Sequence, residues 1–237
     1  MTSNIRKGRT PERRIIDTSS GVYPVLGALV APRPIAWVST TSPGGVDNLA
    51  PHSFFQIVST SPPIVMISSM GEKDTARNAR ATGEFVVCGA PVALMEQINV
   101  TGVDFPAGVS EFDEAGITRE KSGKVRPPRV GESPYALECV VHDIQEIGNA
   151  VLILGEVVLI AVSEDVFEGD RVVTSRADLV ARLGGSEWSE VGATHALPRI
   201  LLEDYPGTWA GSAGHETATV DVEHGTGDVG RLGSGEE

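Results

Sequence analysis

From Arg33 to Thr41 apolar and polar residues alternate, with Ile35, Trp37 and Ser39 on one face of an extended chain and Ala36, Val38 and Thr40 on the other. That period of two predicts a strand over 34–41 with one set of side chains turned inward. Ser42-Pro43-Gly44-Gly45 follows, where proline fixes φ and glycine permits positive φ, so a hairpin turn is expected. A polar, ring-containing loop is expected over 48–55. Apolar runs at 22–30, 63–70 and 84–88 read as further strands, and short helices are expected over 73–81 and 91–99. The runs 134–141 and 150–160 flank Gly148-Asn149, a strong hairpin signal. Antiparallel strands with only brief helices predict a mainly β, α+β chain folded as a barrel. Segment 101–133, rich in Gly, Pro and charge, reads as an excursion over a site and a candidate lid. No internal repeat is evident.

Composition adds limits. A chain of 237 residues suits one barrel domain with appendages, divided here as an arm over 1–20, a domain over 21–205 and a Gly-rich, acidic tail over 206–237, expected to be flexible or to wrap a partner. The net charge is -13, and residues 203–237 hold eight acids against Arg231 alone. With no basic stripe interleaved with aromatics, nucleic-acid binding is not expected. No apolar run approaches the roughly 20 residues that span a bilayer, and no signal-like apolar segment follows the basic start, so a cytoplasmic protein without membrane contact is expected. Cys88 and Cys139 sit in apolar strand-like runs without CxxC spacing, which reads as buried thiols rather than a disulfide or a metal site.

Candidate chemistry concentrates in two stretches. Asn48-Leu49-Ala50-Pro51-His52-Ser53-Phe54-Phe55 packs amide, imidazole, hydroxyl and rings beside a restraining proline, a mixture suited to a planar heterocycle with polar edges. Lys73-Asp74-Thr75 opens a helix after a buried strand. Free N–H groups, a lysine, a hydroxyl and the amide of Asn78 one turn on are enough donors for a terminal phosphate. A simple cap by Asp74 with Lys73 solvated explains the same spacing. Trp37 equally suits a core aromatic, and His52 a hydrogen-bonded structural residue. Other motifs carry no function: Gly225-Thr226-Gly227-Asp228-Val229-Gly230 fits G-x-G-x-x-G but leaves no room for a dinucleotide fold, and Asn99-Val100-Thr101 is a glycosylation acceptor in a chain not expected to be secreted. His215, Glu216, Asp221, Glu223 and His224 lie in the tail without a shell to orient them, so no metal site is expected. G-x-S-x-G, HExxH and Walker motifs are absent.

Three ordered blocks, Arg33-Pro34-Ile35-Ala36-Trp37-Val38-Ser39-Thr40, Asn48 to Phe55, and Lys73-Asp74-Thr75-Ala76-Arg77-Asn78, give the chain from about Gly21 to about Arg199 a resemblance to the flavin reductase-like family. These are FMN-binding split β-barrel proteins that include the NAD(P)H:flavin oxidoreductases of two-component monooxygenases. The resemblance implies an FMN-binding split β-barrel, a homodimer, and hydride transfer from NADH or NADPH to FMN, with FAD possible and a monooxygenase or other acceptor downstream. It implies a cofactor cradle of Trp37, Val38, Ser39, Thr40, Asn48, Ala50, Pro51, His52 and Ser53, with the phosphate at Lys73, Thr75 and Asn78, and singles out no catalytic residue. A non-catalytic FMN-binding or electron-carrier protein, or an oxidase like the pyridoxamine phosphate oxidases, shares the fold. Phe105, Phe112, Lys121, Lys124, Arg126 and Arg129 make the 101–133 segment a candidate nicotinamide cover, although a solvated charged loop explains them as well. Two positions depart from the family: Asn149 stands where relatives often have His, and Arg182-Leu183-Gly184-Gly185 is followed by Trp188 where Tyr is usual. The latter element serves an interface, a cofactor contact or a helix end stopped by glycine.

Overall fold

A computed structural model describes residues 12–19 and 21–202. Period-two alternation and the apolar runs become one antiparallel sheet. Strand β1 (Ala36–Thr41) pairs with β2 (Asp47–His52) across the predicted turn, where Gly45 takes φ 86° and its N–H reaches the Ser42 carbonyl at 2.9 Å. Five strands complete it: β3 (Phe55–Thr60), β4 (Pro63–Met70), β5 (Glu84–Gly89), β6 (Tyr135–Ile147) and β7 (Ala150–Val162). Their order is β2-β1-β5-β6-β7-β4-β3, so the two edge strands are consecutive in the chain, joined through Ser53 and Phe54. The long β6–β7 hairpin turns at Gly148 with φ 60°, as the Gly148-Asn149 signal predicts.

The core lies on both faces of this sheet. Ala36 and Val38 pack with Ile67, Phe85, Val87 and Ile153 under helix α2 (Asp74–Thr82), which contributes Ala76 and Ala79. Ile35 and Trp37 pack on the other side with Leu49, Val86, Cys88 and Phe112. Hence every residue of β1 is buried, not one alternate set; period two reports two faces, and here both are covered.

The second cover comes from the segment expected to be a lid. Within 101–133, Phe112 of the short helix Glu111–Glu114 is fully buried, and Ile117, Val125 and Val130 join the core. Fully buried Glu138 ties the segment down: it accepts from Arg129 Nε and Nη2 at 2.8 and 2.6 Å and from the Gly123 and Lys124 N–H groups at 2.8 and 2.6 Å. Arg129 is therefore spent on the fold, and residues 101–105 and Glu111 of the segment line a cavity.

Residues 22–30 form a helix, α1 (Tyr23–Leu29), where a strand is expected, because an unbroken apolar run does not by itself distinguish the two. Pro24 suits its first turn, and the buried Arg33 guanidinium donates to the carbonyls of Gly27 and, at 2.9 Å, Val30 near its end. The same guanidinium reaches the Leu183 carbonyl at 2.7 Å. There, Arg182 to Gly185 lead into the turn of a hairpin, not a helix end: Val180–Arg182 pairs with Trp188–Glu190 and with Arg33–Pro34, and the Arg182 guanidinium sits 5.0 Å from the Trp188 ring centre. Asn48–His52 is strand rather than loop, while β3 was hidden by its exposed Ile57 and Val58. The helix expected over 91–99 is a 3-10 turn, Val92–Leu94, running into α3 (Met95–Val100). Both cysteines are buried and free. Among the described residues no helix is long and apolar enough to cross a membrane. The 206–237 tail, its glycine motif and its His/Asp/Glu set lie outside the described residues.

Candidate functional site

A cavity of about 210 Å³ lies between β2, the C-terminal end of β4, the start of α2 and residues 101–105. Of the residues expected to hold a ligand, Asn48, Ala50, Pro51, His52, Ser53, Lys73 and Thr75 line it. Trp37, Val38, Ser39, Thr40 and Asn78 are buried behind these walls. Trp37 donates its indole N–H to Thr101 Oγ1 at 2.8 Å, and so positions a cavity residue without reaching the cavity itself. Asn78 donates to Thr40 Oγ1 at 3.1 Å, tying α2 to β1. Val38 is core, and the buried Ser39 hydroxyl has no hydrogen-bond partner among the described residues.

The α2 start is an open donor set. Lys73 precedes the helix in extended conformation, and no side chain caps it; the first helix-turn bond back to a carbonyl is Arg77 N–H to Lys73 O at 2.9 Å. Among the described residues the amides of Asp74, Thr75 and Ala76 therefore have no acceptor. Asp74, the expected cap, turns its carboxylate to Arg77 instead. Thr75 takes a 3.3 Å bond from Asn48 Nδ2 and meets His52 Nε2 at 3.2 Å. Lys73 Nζ is 2.7 Å from Asp104 Oδ1.

Burial pushes the His52 imidazole down to about 4; the Ser68 backbone hydrogen bond opposes this, and the Lys73 charge adds to it. At neutral pH the ring is uncharged, with one nitrogen as acceptor, so it serves as a fixed polar wall and not as a cation. Glu111 also lines the cavity, is buried, and accepts the Leu49 N–H at 2.9 Å. Burial raises its pKa, the backbone bond from Leu49 opposes this, and the Asp74 charge raises it further.

Several lining residues were not legible as site residues: Tyr23, Ser68, Ser69, Asp104 and Glu111. Ser68-Ser69 interrupting an apolar strand was the available signal for two of them. Tyr23 lay in a run read as a strand, and its ring comes 6.3 Å from that of Phe54, beside which Arg33 stands 5.9 Å away. Among the described residues no group of His, Cys, Asp or Glu could hold a metal.

Residues 29–177 match the family model described as flavin reductase like domain. An uncharacterised protein of Aquifex aeolicus is 38% identical over 170 residues, which is 69% of this chain and 87% of that protein. Nitrilotriacetate monooxygenase component B from Bacillus cereus superposes with a TM-score of 0.76 at 30% identity, covering 80% of this chain and 100% of that one. Pseudomonas fluorescens 2-nitrobenzoate 2-nitroreductase superposes at 0.72 with 27% identity, over 78% of this chain and 93% of that one.

Proposed function

The chain belongs to the flavin reductase-like domain family, and from that premise we propose that it binds FMN in the cavity beside α2 and takes a hydride from NADH or NADPH onto the flavin, as a cytoplasmic homodimer feeding a monooxygenase or another acceptor. The observation that carries this reading is that Asp74 and Thr75, whose amides have no acceptor among the described residues, line a cavity with Lys73 at its rim. Such donors suit a phosphate. Asn48, Ser53, Ser68 and Thr101 offer partners for a polyol, and Ala50, Pro51, Phe54 and Tyr23 offer apolar wall for a flat ring system. The residues present fit the group. About 210 Å³ is small against the roughly 300–1,000 Å³ of a site that buries such a ligand, so one chain encloses part of it and a second chain would complete it.

Bound flavin would supply the two-electron chemistry, while the protein binds, orients and excludes water. In this role neutral His52 holds Thr75 against Asn48, fixing the hydroxyl beside the phosphate donors. Trp37 fixes Thr101 on the neighbouring wall. Both act on orientation.

An electron-carrier reading gains one specific support: Arg129, among the cations expected to hold a nicotinamide nucleotide, is committed to Glu138. Anaerobic stopped-flow mixing of the FMN-loaded protein with NADH and with NADPH separates the two. Bleaching of the oxidised flavin band by either nucleotide at turnover-compatible rates is the expected outcome. Reduction by dithionite but by neither nucleotide would leave the carrier reading in its place.

A further inference from the structure

Lys73, the point charge assigned above to a phosphate, already has an anionic partner. Asp104 comes from the 101–105 segment, and its Oδ1 stands 2.7 Å from Lys73 Nζ at the cavity. The other acids of the cavity wall have different attachments: Asp74 pairs with Arg77 on its own helix, and Glu111 holds the Leu49 amide. Asp104 is thus the carboxylate that any anion arriving at Lys73 meets first. Its side chain is 79% exposed and that of Lys73 52%, so the carboxylate is readily taken up by water once displaced. A carboxylate and a phosphate oxygen ask the same of an ammonium group, a short charge-assisted hydrogen bond, and compete for it directly.

We propose that Asp104 is a specificity-determining residue that competes with the flavin phosphate for Lys73, lowering affinity for the phosphorylated flavin and leaving recognition of the ring and polyol unchanged. This rests on the flavin reading of the cavity. Competition of this kind makes FMN an exchangeable ligand, which suits a protein that hands reduced flavin to a separate acceptor. An exposed ion pair is weak, but removing it also removes a unit negative charge facing a dianion, and together these correspond to about three- to tenfold in Kd.

The test titrates flavin-free protein with FMN and with riboflavin, following flavin fluorescence, in the wild type, Asp104→Asn, Lys73→Met and the double variant. Asp104→Asn should bind FMN about three- to tenfold more tightly, bind riboflavin as the wild type does, and lose its advantage at high salt. In the Lys73→Met background the same substitution should change FMN affinity little. Thermal melts of each variant check that the substitution leaves the fold intact. Unchanged FMN affinity, a parallel shift for riboflavin, or an equal gain without Lys73 would each overturn the competition. Failure of the wild type to bind either flavin would instead overturn the flavin reading beneath it.

Discussion

His52 shows how one residue ties the site to the stability of the fold. Its folded pKa of about 4 lies below the ordinary 6.5, so the unfolded chain takes a proton at a pH where the folded chain does not. Its contribution to stability is fully present above about pH 6.5 and is lost as pH falls toward 4, by on the order of 3 kcal/mol in all. Glu111, raised by burial, works in the opposite sense above its ordinary value of 4.5. The His52 share is therefore read as a difference between proteins. Urea unfolding of the wild type and His52→Gln at pH 7.5 and pH 5 should show the wild type losing more stability on acidification, and equal losses would contradict a neutral ring. The residue type and its place beside Pro51 marked His52 in the sequence, whereas its neutrality depends on packing that no local pattern reveals. Arg33 makes the same point. It opens the most informative block of the chain, yet its role as a buried donor to Gly27, Val30 and Leu183 needs partners up to 150 positions away.

At the scale of elements, most strands of the sheet and the helix after Lys73 were legible, whereas α1 and β3 were not. β1, β4, β5 and the β6–β7 hairpin follow from alternation, apolar runs and Gly148. α1 and β3 were missed because one is an apolar run with no polar face and the other an edge strand with exposed Ile57 and Val58. Within β7, Gly155 has a packing reason. The pairing with β6 shifts register between Leu154 and Gly155, and a Cβ at Gly155 would collide with the ring of fully buried Phe85 and come within 3.0 Å of Cys139 Cβ. Gly148, by contrast, is needed for φ 60° and has open space around it. Gly155→Ala should cost about 3 kcal/mol or more through overpacking, and Gly148→Ala about 1 kcal/mol through backbone conformation. Urea midpoints compare the pair; a Gly155→Ala protein as stable as Gly148→Ala would show that Phe85 can move aside.

Over the whole molecule, the matched family region ends at residue 177, yet the hairpin from Val180 to Glu190 is bound to it through Arg33–Pro34 and the Leu183 carbonyl. The barrel does not end where its family signature does. One feature of the assembled sheet still lacks a cover among the described residues. β4 begins at Pro63 and pairs with β7 only as far as Glu156, so β7 runs on to Val162 with β6 on one side and no described strand on the other. Val158 and Ile160 on this open edge are 38% and 62% exposed, and Ile57 and Val58 of β3 are 65% and 54% exposed. An apolar strand edge of this kind invites pairing with another chain. A second copy would cover it and would also supply the wall that a cavity of about 210 Å³ lacks for a whole flavin. Light scattering at micromolar concentration should give a dimer mass for the wild type. Ile160→Lys, a change at a solvent-facing position that leaves the single-chain core alone, should give a monomer and weaken FMN at the same time. A wild-type monomer would contradict the dimer, and an Ile160→Lys monomer with unchanged FMN affinity would show that each chain builds its flavin site alone.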